Sequence, residues 1–238
     1  PYDTDNDGIS GRPNYVWDQN SQTNVLGRFG WKANQPNLRQ QTAAAFNGDM
    51  GITTSLFPDE NCTSAQHDCQ TVPNGGSPEI SDDDLRKVVL YVKSLAVPSR
   101  QNWDAPEVLL GKRKFEEIGC TACHIPKFQT GTDPEISALT DQTIRPYTDL
   151  LLHDMGEGLS DGTPDFEATG NEWRTPPLWG IGLFEVVNQH SNYLHDGRAR
   201  NLEEAILWHG GEAQAANDRY QNLNKADRDA LLSFLKSF

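Results

Sequence analysis

Cys120-Thr121-Ala122-Cys123-His124 follows directly on a segment, Asp104 to Ile118, in which Val108, Gly111, Phe115 and Ile118 recur at helical spacing. Asp104 and Pro106 mark the expected helix start. Three chemistries use Cys-x-x-Cys-His. A zinc site needs two further ligands at compatible spacing, and the other cysteines, Cys62 and Cys69, lie far upstream with no second close Cys/His pair. A thioredoxin-like dithiol follows a strand and opens a helix, whereas this motif follows a helix. Covalent haem c attachment uses both thiols as thioethers and the adjacent imidazole as an axial iron ligand. The context favours haem c, one per chain, on Cys120, Cys123 and His124.

The chain ends on a second apolar stripe, Leu231, Phe234, Leu235 and Phe238. Gly111 and Phe115 would let this terminal helix cross closely just before the attachment motif. A Gly/aromatic helix, then Cys-x-x-Cys-His, then an amphipathic terminal helix resembles the cytochrome c fold. The expected class is mainly α, a cytochrome c-like domain with long loops.

Composition narrows the partners. Acidic residues outnumber basic ones 34 to 20, for a net charge of −14, which argues against nucleic acid or an anionic membrane surface, where a basic face is needed. No apolar run reaches the roughly 20 residues of a membrane span. Twenty Gly and 14 Pro predict a loop-rich protein. A start at Pro1 without Met suggests a mature or truncated product. Cys62 and Cys69 fall in a polar stretch without helical period. A short disulfide-closed loop is the reading for an oxidising compartment, two free thiols the alternative. Haem c attachment occurs outside the bacterial cytoplasm, so a periplasmic location is expected.

An iron with one histidine needs a second ligand or stays open for chemistry. Candidates are Met155, His153, His190, His195 and His209, more distantly Met50 and His67. Asn201 can cap a short helix whose last turn carries Trp208 and His209, stopped by Gly210 and Gly211. Trp173-Arg-Thr-Pro-Pro-Leu-Trp-Gly180, Tyr193-Leu-His-Asp-Gly197 and Leu202-Glu-Glu-Ala-Ile206 resemble the bacterial di-haem cytochrome c peroxidase and MauG superfamily. The nearest resemblance is to its branch of di-haem oxidoreductases, sometimes labelled thiol oxidoreductases, and it covers essentially the whole chain. In that superfamily the position matching His209 holds an axial Met or a Tyr. The resemblance thus points to His209 as distal ligand, with Met155 as runner-up. A His/His pair implies a lower potential than His/Met and a saturated iron.

The chain also contains a weaker copy of its own pattern. Leu90-Tyr-Val-Lys-Ser-Leu95 echoes Ser233-Phe-Leu-Lys-Ser-Phe238, with Leu85, Val88, Val89 and Val92 making the same stripe. Phe29-Gly-Trp31-Lys-Ala-Asn-Gln-Pro-Asn-Leu38 echoes Tyr193 to Leu202, Trp31 falling opposite His195. Residues 1–97 are therefore read as the back half of a first cytochrome c-like domain whose own haem motif is absent from this chain. Residues 98–102 are read as a linker and 103–238 as the haem domain.

The resemblance implies further roles. Phe29-Gly-Trp31 resembles the peroxidases' Phe-Trp-Asp-Gly, whose Trp relays electrons between haems. Asn47-Gly-Asp49-Met50-Gly resembles Asn-Pro-x-Glu-Met, whose carboxylate carries the proton in peroxide cleavage. Asp49 is one methylene shorter than that Glu, and the segment runs two residues short. Arg174, Trp179 and Arg198 are candidates for haem propionates and pocket walls. Asp3, Asp5 and Asp7 with Gly8 match the first half of a calcium loop, but Asn14 stands where a bidentate Glu is expected. The leading function is the electron-transferring, c-type cytochrome portion of a periplasmic di-haem peroxidase-like oxidoreductase. It would be served by a small redox protein (a cytochrome or cupredoxin) and completed by a missing N-terminal haem domain. A single-haem electron carrier and a calcium-stabilised interaction module with a structural haem are the alternatives.

Overall fold

The computed structural model describes residues 8–238 except Gln70. The fold is mainly α: the helices are α1 (Leu38–Met50), α2 (Asp82–Ser94), α3 (Pro106–Glu117), α4 (Phe184–Asn188), α5 (Leu202–Leu207), α6 (Gln214–Gln221) and α7 (Lys225–Lys236). Between them run short antiparallel pairs: β1 (Tyr15–Asp18) with β2 (Thr23–Leu26), β3 (Phe128–Gln129) with β4 (Thr143–Ile144), and β5 (Leu152–Asp154) with β6 (Glu172–Arg174). Among the described residues no helix is long and apolar enough to cross a membrane.

The described residues divide into two compact units, residues 14–96 and residues 8–13 with 97–238. Two segments differ from the division read in the sequence. The described residues before Asn14, read with the first domain, go with the second unit. Arg12 exchanges backbone hydrogen bonds with Leu152 and sends Nε and Nη2 to the two carboxylate oxygens of Glu172, each at 2.6 Å. Nor do residues 98–102 hang free as a linker. Gln101 N–H donates to the Ser237 carbonyl at 2.7 Å, and the Arg100 guanidinium lies over the rings of Phe234 and Phe238. Burial lowers the Arg100 pKa.

In the unit of residues 14–96, the β1–β2 hairpin is tied to α1 by Gln40. Its Oε1 accepts from Gln19 N–H at 2.8 Å and its Nε2 donates to the Trp17 carbonyl at 3.0 Å. Asn37 caps α1 and Ser81 caps α2, each accepting a backbone N–H three residues on. Ala43, Leu85 and Val89 bury against Leu38, Phe46, Leu56 and Phe57. Cys62 and Cys69 are joined by a disulfide, Cα to Cα 5.9 Å.

The larger unit is organised by α3 crossing α7. A Cβ placed on Gly111 would lie 1.9 Å from the Ala230 carbonyl oxygen and 2.8 Å from Phe234 Cβ, so the two helix axes approach as closely as glycine permits. The close crossing expected from the sequence is present. It seals a core of Val108, Phe115, Ile118, Tyr147, Tyr220, Leu231, Phe234 and Phe238, in which Phe115, Tyr147, Phe234 and Phe238 meet edge-on or tilted. The helix itself begins at Pro106 with Ala105 at its cap, and Asp104 makes no cap bond there.

The echoed segments share a backbone. Phe29 bridges Gln35 and Tyr193 bridges Ala199. Gly30 and Leu194 are both left-handed (φ 82° and 71°), as are Ala33 and Gly197 (φ 53° and 73°). Asn37 and Asn201 then both cap the following helix. Two stretches of different sequence thus fold into one motif, position for position.

Candidate haem site

Gly119, at φ 91°, ends α3 and turns the chain into a short 3-10 turn, Cys120–Ala122, which sets both cysteines and His124 beside the α3–α7 core. His124 is half-buried, with its ring centroid 5.9 Å from that of Phe115. Its Nδ1 lies 2.9 Å from the Tyr147 carbonyl oxygen. A carbonyl can only accept, so Nδ1 carries the proton and the lone pair is left on Nε2. Burial pushes the imidazole pKa down to about 4, with nearby His209 adding to the shift. Burial likewise pushes the Cys120 thiol up to about 12, so the uncombined sulfur is protonated and neutral at ordinary pH.

Tyr147 holds that carbonyl in place. Its φ of 53° is unusual for a bulky residue. Its ring is locked by Phe115, Phe234 and Phe238, and the next residue, Thr148, is anchored through its hydroxyl to the Thr175 carbonyl at 2.5 Å. The packed core therefore over-determines a strained turn, and the turn aims the acceptor at His124. Nothing in the sequence around Tyr147 marks this role, because the acting atom is backbone.

His209 follows α5. As the sequence predicts, Asn201 caps that helix, accepting from Glu204 N–H at 2.9 Å, and Gly210 and Gly211 follow the histidine. Its Nδ1 lies 2.7 Å from the Ala205 carbonyl, so this imidazole too has its lone pair on Nε2. Burial lowers its pKa. Two neutral imidazoles, each oriented by a backbone carbonyl and each with Nε2 unspent, form a donor set that would suit a haem iron. Together with Cys120 and Cys123 these residues fit a covalently attached haem.

The other candidates fall as follows. The Met155 backbone packs against Gly210, where an added Cβ would lie 3.0 Å from the Met155 carbonyl. His153 is buried, with Nε2 2.7 Å from Asp149 Oδ2 and Nδ1 2.7 Å from Glu212 Oε2, so neither nitrogen is available to iron. Burial opposes its charge, but the Asp149 carboxylate and the Cys123 sulfur outweigh that and push its pKa up to about 11. A thioether at Cys123 carries no charge, which leaves the Asp149 carboxylate as the lasting cause. His195 stacks on Trp173 with centroids 3.6 Å apart and planes 12° off parallel. Trp173 Nε1 donates to the Leu159 carbonyl, and Trp179 Nε1 to the Arg145 carbonyl, each at 2.9 Å. Arg174 is half-buried, and burial lowers its pKa. Arg198 pairs with Asp196 at 2.5 Å, donates to the Gly158 carbonyl and lies over the Trp208 ring.

In the unit of residues 14–96, Trp31 is half exposed and Asp49 is exposed in the last turn of α1. Asp3, Asp5 and Asp7 lie outside the described residues. Sequence reasoning missed Tyr147, Asp149 and Glu212, and weighed His153 only as a ligand. Its Asp149 partner is four residues away, but in a loop and strand where that spacing carries no pairing signal.

No curated protein and no solved structure matches the chain. The family model described as di-haem oxidoreductase, putative peroxidase, matches residues 1–238. That match spans Cys120 to His124 and His209 alike, and membership implies haem cofactors. The chain belongs to the di-haem oxidoreductase family.

Proposed function

We propose that this chain is the electron-transferring, c-type cytochrome portion of a periplasmic di-haem peroxidase-like oxidoreductase, with one haem c on Cys120 and Cys123 and His124 and His209 as its axial ligands. The observation that carries the reading is the matched pair of imidazoles, each with Nδ1 donated to a carbonyl and Nε2 left unspent. The haem supplies one-electron chemistry when bound. The protein holds both ligands neutral and rigid, and the apolar core of Phe115, Tyr147 and Phe234 excludes water beside His124. With both imidazoles held for the iron, the site would suit electron transfer rather than peroxide binding.

Residues 14–96 fit the back half of a first cytochrome c-like domain, since Phe29–Leu38 repeats the backbone of Tyr193–Leu202. A companion N-terminal haem domain would complete it and carry the substrate reaction. There Trp31, with an oxidisable indole, takes the relay role and Asp49 the proton-carrying role that the family resemblance assigns. The net charge of −14 suits a basic small redox protein as electron donor. Haem c attachment and the Cys62–Cys69 disulfide both belong to an oxidising compartment outside the cytoplasm.

Mass and near-infrared spectra of the holoprotein test the assignment. One haem per chain and a low-spin bis-histidine spectrum that becomes high-spin in His209→Ala are the expected results. A methionine-to-iron charge-transfer band would assign the site to Met155 instead, and two haems per chain would overturn the half-domain reading.

A further inference from the structure

His153 has both ring nitrogens engaged by carboxylates, and its partners lie on the Tyr147 turn and in the loop after His209, with Cys123 alongside. Both its ring nitrogens face carboxylate oxygens at 2.7 Å. Two acceptors on one ring require two N–H donors, so the ring is an imidazolium shared between Asp149 and Glu212. Asp149 lies two residues beyond Tyr147, whose carbonyl orients His124. Its second oxygen accepts from Leu151 N–H at 2.9 Å, which stiffens that turn. Glu212 lies three residues beyond His209 and is held in turn by Ser10, through N–H at 3.1 Å and Oγ at 3.3 Å. Cys123 Sγ, one of the two attachment sulfurs, is 3.6 Å from His153 Nδ1.

Packing closes the cluster. A Cβ on Gly11 would lie 2.5 Å from His153 Cε1, so the backbone of the N-terminal segment covers the ring directly. A Cβ on Gly211 would lie 2.2 Å from the Asp154 carbonyl oxygen, so the His209 loop is pressed against the end of the strand that carries His153. The side chain is 3% exposed. A charge at that depth is tolerated only while both partners stay in place. Any movement of the His209 loop away from the His124 side therefore has to break a buried ion pair.

We propose that His153 is a positioning residue that keeps His209 on the iron, by locking the loop of the distal ligand to the turn that orients the proximal one. The inference rests on the assignment of His124 and His209 as the axial pair. Its consequence is a slow rate of distal-ligand release, set by the Asp149–His153–Glu212 clamp and not by the iron bond alone.

Carbon monoxide binding to the reduced holoprotein reads that rate, because the probe enters only after His209 leaves. His153→Gln removes the charge and can serve one carboxylate at a time. It should keep the attached haem and raise the carbon monoxide association rate by about tenfold or more, as expected for a broken buried pair. Glu212→Gln and Asp149→Asn keep the side-chain volume and should each raise it several-fold, which decides the matter even where His153→Gln fails to accumulate. In a His209→Ala background, all three should leave the rate unchanged. Wild-type rates in the charge-neutral variants, or equal acceleration with and without His209, would overturn the proposal. A wild-type protein that binds carbon monoxide without delay and lacks a bis-histidine spectrum would mark failure of the axial-pair assignment itself.

Discussion

Helices α2 and α7 each carry an apolar stripe, yet the positions that their sequences share meet opposite fates. Aligning Leu90–Leu95 with Ser233–Phe238 sets Tyr91 opposite Phe234 and Leu95 opposite Phe238. Phe234 and Phe238 are 0% and 2% exposed, whereas Tyr91 and Leu95 are 65% and 57% exposed. In α7 that face receives α3 through Gly111. In α2 it is the adjoining face, Leu85 and Val89, that is buried, against α1 and its flanks. An apolar stripe thus states that a face is built for covering. Which face is covered depends on the partner helix, and at the Phe234 and Phe238 face it is α3 with a glycine at the crossing. Among the described residues of 14–96, none plays the part of α3.

The largest test of this contrast is a matched pair of truncations. Phe234→Ala empties a sealed aromatic cluster and should cost about 4 kcal/mol in denaturant unfolding of the holoprotein. Tyr91→Ala, at the equivalent position of α2, should change stability by about 0.5 kcal/mol or less. A comparable loss at both positions would show that the α2 face is covered in the folded protein. Gly111→Ala comes next. The new methyl has to push aside the α7 backbone, and overpacking of this kind should cost about 2 kcal/mol. A neutral result would mean that the crossing is looser than its geometry states.

What was legible in advance follows the same division between local and long-range signals. Gly111, the terminal stripe and the Asn201 cap are each read from a window of a few residues, and each is found where the sequence places it. The Tyr147 carbonyl carries no residue-type signature. Asp149 and Glu212 flank His153 only after a loop and a glycine pair have folded back upon β5. The N-terminal segment belongs to the larger unit because Arg12 reaches Glu172, 160 positions on, and no spacing rule covers such a distance. Trp31 and Asp49 drew their roles from family resemblance, and both stand exposed, where local packing adds nothing to that assignment.

The two units also differ in their ion pairs, and pH separates them. Glu172 is 8% exposed. Burial raises its pKa, but Arg12 and the Thr169 backbone N–H outweigh that and hold it below the ordinary glutamate value. A carboxylate with a depressed folded pKa contributes stability above its unfolded pKa and loses it as pH falls through the folded one. The larger unit should therefore weaken on acidification below about pH 4.3. Arg12→Met should move that loss to neutral pH, at about 3 kcal/mol. Its counterpart, Arg39 with the exposed Asp82, should be removable without a measurable effect on unfolding. If Arg12→Met instead leaves the acid limb unchanged, other carboxylates govern it.

The smallest effect tests whether the two units share a motif at all. Gly30 and Leu194 occupy the same left-handed position of the repeated turn. Glycine is at ease there, while a leucine is strained by roughly 1–2 kcal/mol. Leu194→Gly relieves that strain but gives up a half-buried side chain and loosens the unfolded chain, so its net effect should fall within about 1 kcal/mol of zero. Gly30→Ala has nothing to relieve. It adds the strain, and its methyl would sit 2.0 Å from Asn34 Oδ1, a side-chain atom that can swing aside. It should destabilise by about 1 kcal/mol. The asymmetry is the informative quantity: one backbone, occupied once by the residue that suits it and once by one that does not. Equal losses at both positions would mean that the two turns only look alike, and the case for a repeated motif would rest on the caps of α1 and α5 alone.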